Sequence, residues 1–379
     1  MRPAEGAVEF CGPVPWHGCC TFLAILHVGA DTMIKYEYLN WMAKNTPTQW
    51  CNDSGLLTDI DAALDSGAIG CTTNPPLTYE ALTVQADLYA DAVAAIPAAA
   101  QGDDRVVELL GVVVRTISRR LRDLYESSGK RYGYVRSQVK PKMSGDGAAM
   151  HRMGSKIATW GDNVMVKIPG TFSGIQVLED LAAAGIPTTP TVCVSIPQIL
   201  VVAEANERGI KRAKAAGLAP APSTAALVMG RLQDYLAALN QERAVGLSTT
   251  DLEMAVLAMT KRCYAIMKER GYSQFLMPAA FRAPHQVAGL VGAAVHMTIH
   301  PRIQAAIVAA ESEGRIQRKM AIDDPVDPDA VARVAEALPE FAKAYDPEGL
   351  KPEEFDAFGA TVMTLDGFDK TGWQRLSTL

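Results

Sequence analysis

Short apolar runs alternate with longer amphipathic stretches between residues 49 and 313 of this chain. An uninterrupted apolar run of about four to eight residues is typical of a strand buried on both faces, and apolar residues at helical spacing are typical of an amphipathic helix. Repeated strand–helix pairs indicate a parallel sheet rather than a sandwich or a helical bundle. The predicted strands are 49–53, 68–73, 133–139, 163–169, 188–194, 225–229, 274–279 and 294–299.

A predicted helix follows each of these strands, which gives eight predicted βα units. The helices are 59–65, 79–96 with a continuation at 105–127, 148–160, 172–184, 197–208, 231–240, 285–291 and 301–313. Eight parallel units favour an α/β fold of the (β/α)8 TIM barrel type, whose reactive residues lie at the carboxyl ends of the strands. An open doubly wound sheet is the alternative. No GxGxxG or GxxxxGK[ST] turn follows any strand, which disfavours nucleotide binding.

The segments outside the repeat divide the chain into three parts. We predict an N-terminal extension at 1–48, a barrel catalytic domain at 49–313 with one extra helix at 250–271, and an acidic helical tail at 314–379. The tail is expected to pack on the barrel or at a subunit contact, and a partly disordered appendage is the alternative. Residues 1–32 are interpreted as an extension or as the result of a misplaced start codon before Met33.

Composition excludes several classes of function. The 379 residues carry a formal net charge of -6, and no stretch combines clustered Lys and Arg with aromatics, so a nucleic-acid partner is not expected. The apolar run 19–30 is too short to span a bilayer, so no membrane partner is expected either. Seven scattered cysteines lack the spacing of a zinc site or of a disulfide scaffold, and this favours a cytoplasmic location.

Lys167 is the residue that points most clearly to chemistry, because it lies within the apolar run 163–169. A buried ammonium loses hydration worth several kcal/mol, and its usual response is a lowered pKa that leaves a neutral amine. A neutral amine attacks carbonyl carbons, as a Schiff-base enzyme requires. Strand alternation places Met165 and Lys167 on the inner face of a barrel. The alternative is an edge strand with Lys167 in solvent.

Two other predicted strands end in polar residues that would face the same barrel mouth. Asp53 ends the first strand, and Asn74 follows the second within Asn-Pro-Pro. A carboxylate at the barrel mouth can move the proton of a substrate hydroxyl during an aldol reaction. Each residue also has a purely structural interpretation, since Asp53 can cap a helix and Asn-Pro-Pro forms turns.

Five motifs in a fixed order carry a resemblance to a known family. They are Gly-Cys-Thr-Thr-Asn-Pro-Pro at 70–76, Val-Met-Val-Lys-Ile-Pro-Gly-Thr at 164–171, Gly-Ile-Pro-Thr-Thr-Pro-Thr at 185–191, Gly-Arg-Leu-Gln-Asp at 230–234 and Ala-Phe-Arg-Ala-Pro at 280–284. With them the sequence resembles the transaldolase family, which includes the fructose-6-phosphate aldolase-like enzymes. The resemblance extends over residues 49–313 and implies a class I Schiff-base barrel without a metal or an organic cofactor.

The resemblance also implies a role for individual residues. Lys167 would form the Schiff base, and Asp53 would be the general acid/base. Arginines suit an anionic substrate terminus because their planar fork engages two oxygens at once. The other implied residues are Gln138 and Thr191 in the catalytic set, with Thr191 positioning a water, and Thr73, Asn74, Thr189, Arg231 and Arg282 in substrate binding.

The chain departs from the family pattern at the residues that distinguish its branches. Gln138 stands where typical transaldolases carry a glutamate that activates water, and the aldolase branch carries glutamine there. The segment 185–188 also resembles the aldolase branch. Val228 occupies the position of a tyrosine in the aldolase branch and of a phenylalanine in typical transaldolases. An apolar residue there fits group transfer better than cleavage assisted by water.

Other departures concern the anion site. Ala226 and Ala280 replace two small hydroxyl residues of the family's phosphate site, and each lost donor would weaken phosphate binding by about 1 kcal/mol or more. The substrate is therefore a sugar that need not be an ordinary phosphosugar. His285, His296 and His300 lie near the last two strand ends in the sequence, where they could reshape the pocket or serve a structural role.

Three functions are compatible with these residues. The favoured one is transfer of a dihydroxyacetone unit from a ketose to an aldehyde through a lysine Schiff base. The second is an aldolase that releases free dihydroxyacetone. The third is a noncatalytic barrel that binds a sugar or a partner protein. The resemblance further implies sugar or sugar-phosphate substrates and a homo-oligomer.

Overall fold

The computed structural model describes residues 36–379, and the predictions for residues 1–32 lie outside this range. The strands of the structure are short and mostly buried, and all eight lie at predicted places. They are β1 (Gln49–Asn52), β2 (Gly70–Thr72), β3 (Tyr134–Gln138), β4 (Val164–Pro169), β5 (Thr188–Thr191), β6 (Thr224–Leu227), β7 (Phe275–Pro278) and β8 (His296–Ile299).

The strands form a curled parallel sheet. Six of them pair in the order β5-β4-β3-β2-β1-β8, and the other two pair as β6-β7. Two isolated parallel bridges, Thr188 to Ser223 and Cys193 to Leu227, connect the end of the larger ladder to β6. The fold is therefore α/β with a parallel sheet, as the βα repeat predicts.

Helices separate the strands and cover the outer face of the sheet. They are α1 (Glu37–Asn45), α2 (Leu57–Asp65), α3 (Pro75–Val84), α4 (Ala86–Ala94), α5 (Asp103–Arg120), α6 (Arg122–Ser127), α7 (Gly147–Ala158), α8 (Phe172–Ala183), α9 (Ile196–Ala215), α10 (Met229–Glu242), α11 (Thr249–Arg270), α12 (Pro284–Ala288), α13 (Pro301–Ser312), α14 (Pro328–Ala337), α15 (Pro339–Tyr345), α16 (Gly359–Phe368) and α17 (Gln374–Leu376). None of the helices among residues 36–379 is long and apolar enough to cross a membrane.

The long helical region between β2 and β3 differs from the prediction. Instead of two long helices it contains four, α3 to α6. Pro97 and Gly102 lie in the gap between α4 and α5, and Gly102 has a φ of 55°, which a helix interior does not accommodate. The helix after β7 is also shorter than predicted, because α12 ends at Ala288 with Gly289 as its C-cap.

Side chains of β4 alternate between the two faces of the sheet. Val164, Val166 and Ile168 belong to the main core between sheet and helices, whereas Met165 packs with two tyrosines in a separate cluster. Because β4 pairs with β3 on one side and with β5 on the other, the edge-strand alternative for Lys167 is wrong.

The C-terminal residues pack against the α/β core near the carboxyl ends of the strands. The indole Nε1 of Trp373 donates to Asp103 at 2.8 Å, and the Asp356 carboxylate accepts from the backbone N–H of Phe172 at 2.7 Å. Gly372 lies so close to Pro76 that a side chain at this position would collide with it. These contacts hold α16 and the π-helical turn Asp369–Trp373 beside the ends of β2 and β4.

Candidate active site

The Lys167 amine is buried on the inner face of the sheet. Its side chain is 6% exposed, and Nζ donates to the backbone carbonyl of Thr73 at 3.1 Å. Burial lowers the pKa of Lys167 to about 8, while the charge of Asp53 opposes this shift and that of Arg136 adds to it. About a tenth of the amine is therefore neutral and nucleophilic at pH 7, far more than for an exposed lysine.

Two predicted catalytic side chains lie close to Lys167 on the neighbouring strands. Gln138 on β3 is in register with Lys167, and Thr191 on β5 pairs with the residue two positions further along β4. Both are fully buried, yet the Gln138 amide atoms and Thr191 Oγ1 have no hydrogen-bond partner among residues 36–379. Buried polar groups are normally paired, so these two are candidates for contacts with a reacting molecule.

Thr189 and Thr73 are also placed beside Lys167, with their hydroxyls already engaged. Thr189 is in register with the lysine on β5, and its Oγ1 lies 3.1 Å from Thr224 Oγ1. The hydroxyl of Thr73 donates to the Arg136 carbonyl at 2.7 Å. It is the carbonyl of Thr73 that contacts the amine, so this residue holds Lys167 through its backbone.

Asp53 follows β1 and lies at the end of a chain of hydroxyls. Its Oδ1 accepts from Thr72 Oγ1 at 2.6 Å, and Thr72 Oγ1 lies 2.5 Å from Thr298 Oγ1. Since Thr72 has a single hydroxyl proton and gives it to the carboxylate, Thr298 is the donor to Thr72. These hydrogen bonds orient one carboxylate oxygen of Asp53 and leave the other available for proton transfer.

Asn74 and Asp53 both line a cavity of about 340 Å³ at the carboxyl ends of the strands. Asn74 is the N-cap of α3, where its Oδ1 accepts from the Leu77 N–H at 3.0 Å. This helix cap fixes the Asn74 side chain at the cavity wall, whereas the cap of α2 is Leu56 and not Asp53. The carbonyl that holds the Lys167 amine belongs to Thr73, the residue before Asn74.

A pair of arginines lines the same cavity. Arg282 follows β7 and donates to both oxygens of Asp234, at 2.8 and 2.5 Å, and Arg231 on α10 lies 4.0 Å from this carboxylate. Burial and the like charge of Arg282 lower the pKa of Arg231. Two guanidinium groups share one carboxylate, so the pair retains net positive charge. Such a pair attracts an anionic substrate group.

Comparison with known proteins identifies the family of this chain. Residues 50–356 match the family model described as transaldolase/fructose-6-phosphate aldolase. The chain belongs to this family. The match extends beyond residue 313, the end of the region over which the motifs predict the resemblance.

Curated members of the transaldolase family have modest identity to this chain. "Transaldolase 1" of Streptomyces coelicolor is 30% identical over 204 residues, which is 52% of this chain and 53% of the relative. "Transaldolase" of Neisseria gonorrhoeae is 31% identical over 204 residues, which is 52% of this chain and 57% of the relative. The chain thus spans about half the length of the curated relatives it matches.

The C-terminal residues contribute to the cavity of this transaldolase-family chain, which the sequence did not indicate. Phe368 and Thr371 line the cavity together with Arg231. The guanidinium of Arg231 lies 5.2 Å from the centre of the Phe368 ring, a cation–π distance. Phe368 packs against Val192, a non-glycine residue with a φ of 57°, directly after Thr191. The tail therefore forms one wall of the site.

Arg136 is a second residue that the sequence analysis missed. It lies on β3 two positions before Gln138, so strand alternation puts both on the inner face. The side chain is 3% exposed, and its contacts are Thr224 Oγ1 at 3.4 Å and the Cys51 sulfur at 3.5 Å. Its positive charge contributes to the lowered pKa of Lys167.

The structure separates the three histidines that were expected near the pocket. Only His300 among them lines the cavity, as the N-cap of α13. His296 begins β8 and therefore lies at the opposite edge of the sheet, so it does not shape this cavity. His285 does not line the cavity either, because it lies on α12 with its Nε2 at 3.5 Å from Glu253.

The two alanines at expected hydroxyl positions occupy different depths. Ala280 lines the cavity, and its φ of 61° is unusual for a residue with a side chain. Ala226 lies deeper, in an interior cluster with Cys51 and Met277. An added hydroxyl would therefore reach the cavity directly at residue 280 but not at residue 226.

Proposed function

We propose that this protein is a class I transferase that moves a dihydroxyacetone unit from a ketose to an aldehyde through a Schiff base on Lys167. The observation that carries the proposal is the buried amine, whose pKa is lowered to about 8 and which contacts Thr73, next to the Asn74 that lines a cavity with Asp53 and an arginine pair. A structural lysine gains nothing from such a location, whereas a nucleophilic amine requires it.

The reaction begins when the neutral amine of Lys167 attacks the ketose carbonyl carbon and water leaves. Asp53 then accepts the proton of the C4 hydroxyl while the C3–C4 bond breaks. The electrons of the broken bond move to the protonated imine nitrogen. The aldehyde departs, and a dihydroxyacetone enamine stays on the lysine. The enamine carbon attacks an acceptor aldehyde, Asp53 returns the proton, and hydrolysis releases the new ketose and the free amine.

The remaining residues bind and position the substrate. Asn74 holds the hydroxyls of the dihydroxyacetone unit from the cavity wall. Gln138 and Thr191, which are buried without partners in residues 36–379, position the water that is released when the imine forms and the water that hydrolyses it. Arg231 and Arg282 bind a phosphate or another anionic terminus of the sugar.

A full (β/α)8 barrel is part of the proposal. The bridges from β5 to β6 support closure on one side. On the other side the rings of Phe275 on β7 and His296 on β8 stack with centres 4.4 Å apart. We assign the barrel to residues 49–313 and the cavity-lining tail to 314–379. A cytoplasmic location and self-association remain predictions.

Gln138 favours one alternative, an aldolase that releases free dihydroxyacetone. A glutamine is neutral and cannot act as the base that a family glutamate provides, and the aldolase branch carries glutamine at this position. Val228 favours transfer, because it offers no hydroxyl to assist protonation of the enamine. A noncatalytic barrel is disfavoured because a cavity lined by Asp53 and Asn74 lies beside the buried Lys167 amine, which contacts the residue before Asn74.

The test measures product formation from a ketose with and without an acceptor aldehyde. A transferase forms the new ketose with the acceptor and releases little dihydroxyacetone without it. Free dihydroxyacetone that accumulates at the rate of transfer would overturn the transferase and support the aldolase. Lys167→Met is the control, since it removes the amine and should abolish both reactions.

A further inference from the structure

The amino-terminal edge of the sheet carries a second hollow, of about 630 Å³. Its wall includes Gln49, Phe275 and His296, the first residues of β1, β7 and β8. The strands run in parallel and rise about 3.3 Å per residue, so this hollow lies about one strand length, or roughly 13 Å, from the Lys167 site. Its volume is in the range of small-molecule sites, which is about 300–1,000 Å³.

The hollow presents an apolar ring surface. Phe275 is 45% exposed although it belongs to a strand, and part of its ring stacks on His296 at an interplanar angle of 12°. Pro220, Pro222 and Ile210 complete this apolar wall. A flat apolar group would stack well here, since aromatic contacts stabilise a complex beyond the burial of apolar area.

Two adjacent cations stand at the rim of the hollow. Lys130 and Arg131 both line it, and neither has a carboxylate within 4.0 Å in the described part of the chain. Lys130 has a φ of 65°, an uncommon conformation for a residue with a side chain. The turn before β3 thus holds two uncompensated positive charges beside an apolar surface, which favours an anionic ligand.

Two buried polar atoms on the wall also lack partners. His296 Nδ1 and Asn206 Oδ1 have no hydrogen bond within residues 36–379. Burial lowers the pKa of His296 to about 3, and the charge of Arg136 adds to the shift, so the imidazole is neutral. Neutral imidazole and amide groups are suited to hydrogen bonds with a polar ligand.

We propose that this hollow binds a small molecule that joins a flat apolar ring to a phosphate group. The ring stacks on Phe275, and the phosphate is bound by Lys130 and Arg131. The site is separate from the catalytic cavity and takes a different chemical class from an aliphatic sugar.

The test is isothermal titration of the full chain carrying Arg231→Gln, which weakens anion binding in the catalytic cavity. The probes are phenyl phosphate, inorganic phosphate and benzyl alcohol. Phenyl phosphate should bind about tenfold or more tightly than either of the others, because it alone supplies both groups. Since the measurement needs no turnover, it is independent of the proposed reaction.

Variants of the hollow decide where the probe binds. Phe275→Ala should weaken phenyl phosphate about tenfold, and Lys130→Gln combined with Arg131→Gln should weaken it at least as much. Phe172→Ala is the matched control, because Phe172 is 53% exposed elsewhere on the surface and should not matter. Circular dichroism checks that each variant is folded.

Three results would overturn the proposal. The first is absence of phenyl phosphate binding, and the second is inorganic phosphate that binds as tightly as phenyl phosphate. The third is an affinity for phenyl phosphate that is unchanged in folded Phe275→Ala and in the folded Lys130→Gln, Arg131→Gln double variant. Loss of binding with the paired charge variant, while Phe172→Ala retains it, supports the proposal even where Phe275→Ala fails to fold.

Discussion

Replacing the central lysine by methionine should make the protein more stable while it abolishes the reaction. Lys167→Met keeps the length and most of the volume of the side chain, so the core remains filled. At neutral pH the wild-type chain must bury an ammonium that is only partly compensated by Asp53. The methionine variant does not bear this cost.

The lowered pKa sets the magnitude of the gain. The difference between 10.5 and about 8 corresponds to about 3 kcal/mol of destabilisation by the charged form. Below about pH 8 both folded and unfolded lysine are protonated, so the full penalty applies. Above about pH 10.5 both are neutral and it vanishes. Wild-type stability therefore rises relative to the variant as pH increases through this window.

Urea unfolding at two pH values tests this reasoning. We expect Lys167→Met to be more stable than wild type by about 3 kcal/mol near pH 7 and by about half that near pH 9.5. Lys214→Met replaces an exposed lysine and should show a difference near zero at both pH values. A variant that is less stable than wild type at pH 7, or a gain that does not shrink with pH, would refute a buried amine with a lowered pKa.

Three further predictions concern activity. Asp53→Asn should reduce kcat by about 10²- to 10⁴-fold while Lys167 still forms its covalent adduct, and loss of the adduct would contradict the acid/base role. The acid limb of the pH profile of kcat/KM should have its midpoint near pH 8, and in Arg136→Met this midpoint should move to higher pH. A midpoint that does not move would exclude the charge effect of Arg136. Arg231→Gln should raise KM about tenfold or more for a phosphorylated ketose but little for the unphosphorylated analogue, and equal changes would argue against an anion site.

The local pattern of apolar residues was sufficient to predict the strands and the burial of the Lys167 amine. Eight apolar runs gave all eight strands, because burial on both faces of a parallel sheet leaves an uninterrupted apolar signature. Lys167 was detectable for the same reason, as a charge inside such a run. Arg136 was not detectable in this way, because it lies beside Ser137 and Gln138 in β3, where the apolar pattern is interrupted.

Other parts of the site depend on long-range packing that no local pattern encodes. Phe368 reaches the cavity from the C-terminal segment and stacks on Arg231, more than a hundred residues earlier in the chain. His296 and His300 are four positions apart, yet the direction of β8 puts them at opposite edges of the sheet. A shift of a predicted strand boundary by a few residues is enough to misplace such a residue.

Borohydride trapping with a panel of ketoses tests the central claim most directly. The panel includes fructose 6-phosphate and unphosphorylated or otherwise anionic analogues, and peptide mass spectrometry locates the reduced adduct. We expect a single adduct on Lys167 with at least one ketose and none in Lys167→Met. No adduct with any ketose in folded protein, or an adduct on another lysine, would contradict a Schiff-base mechanism at this site.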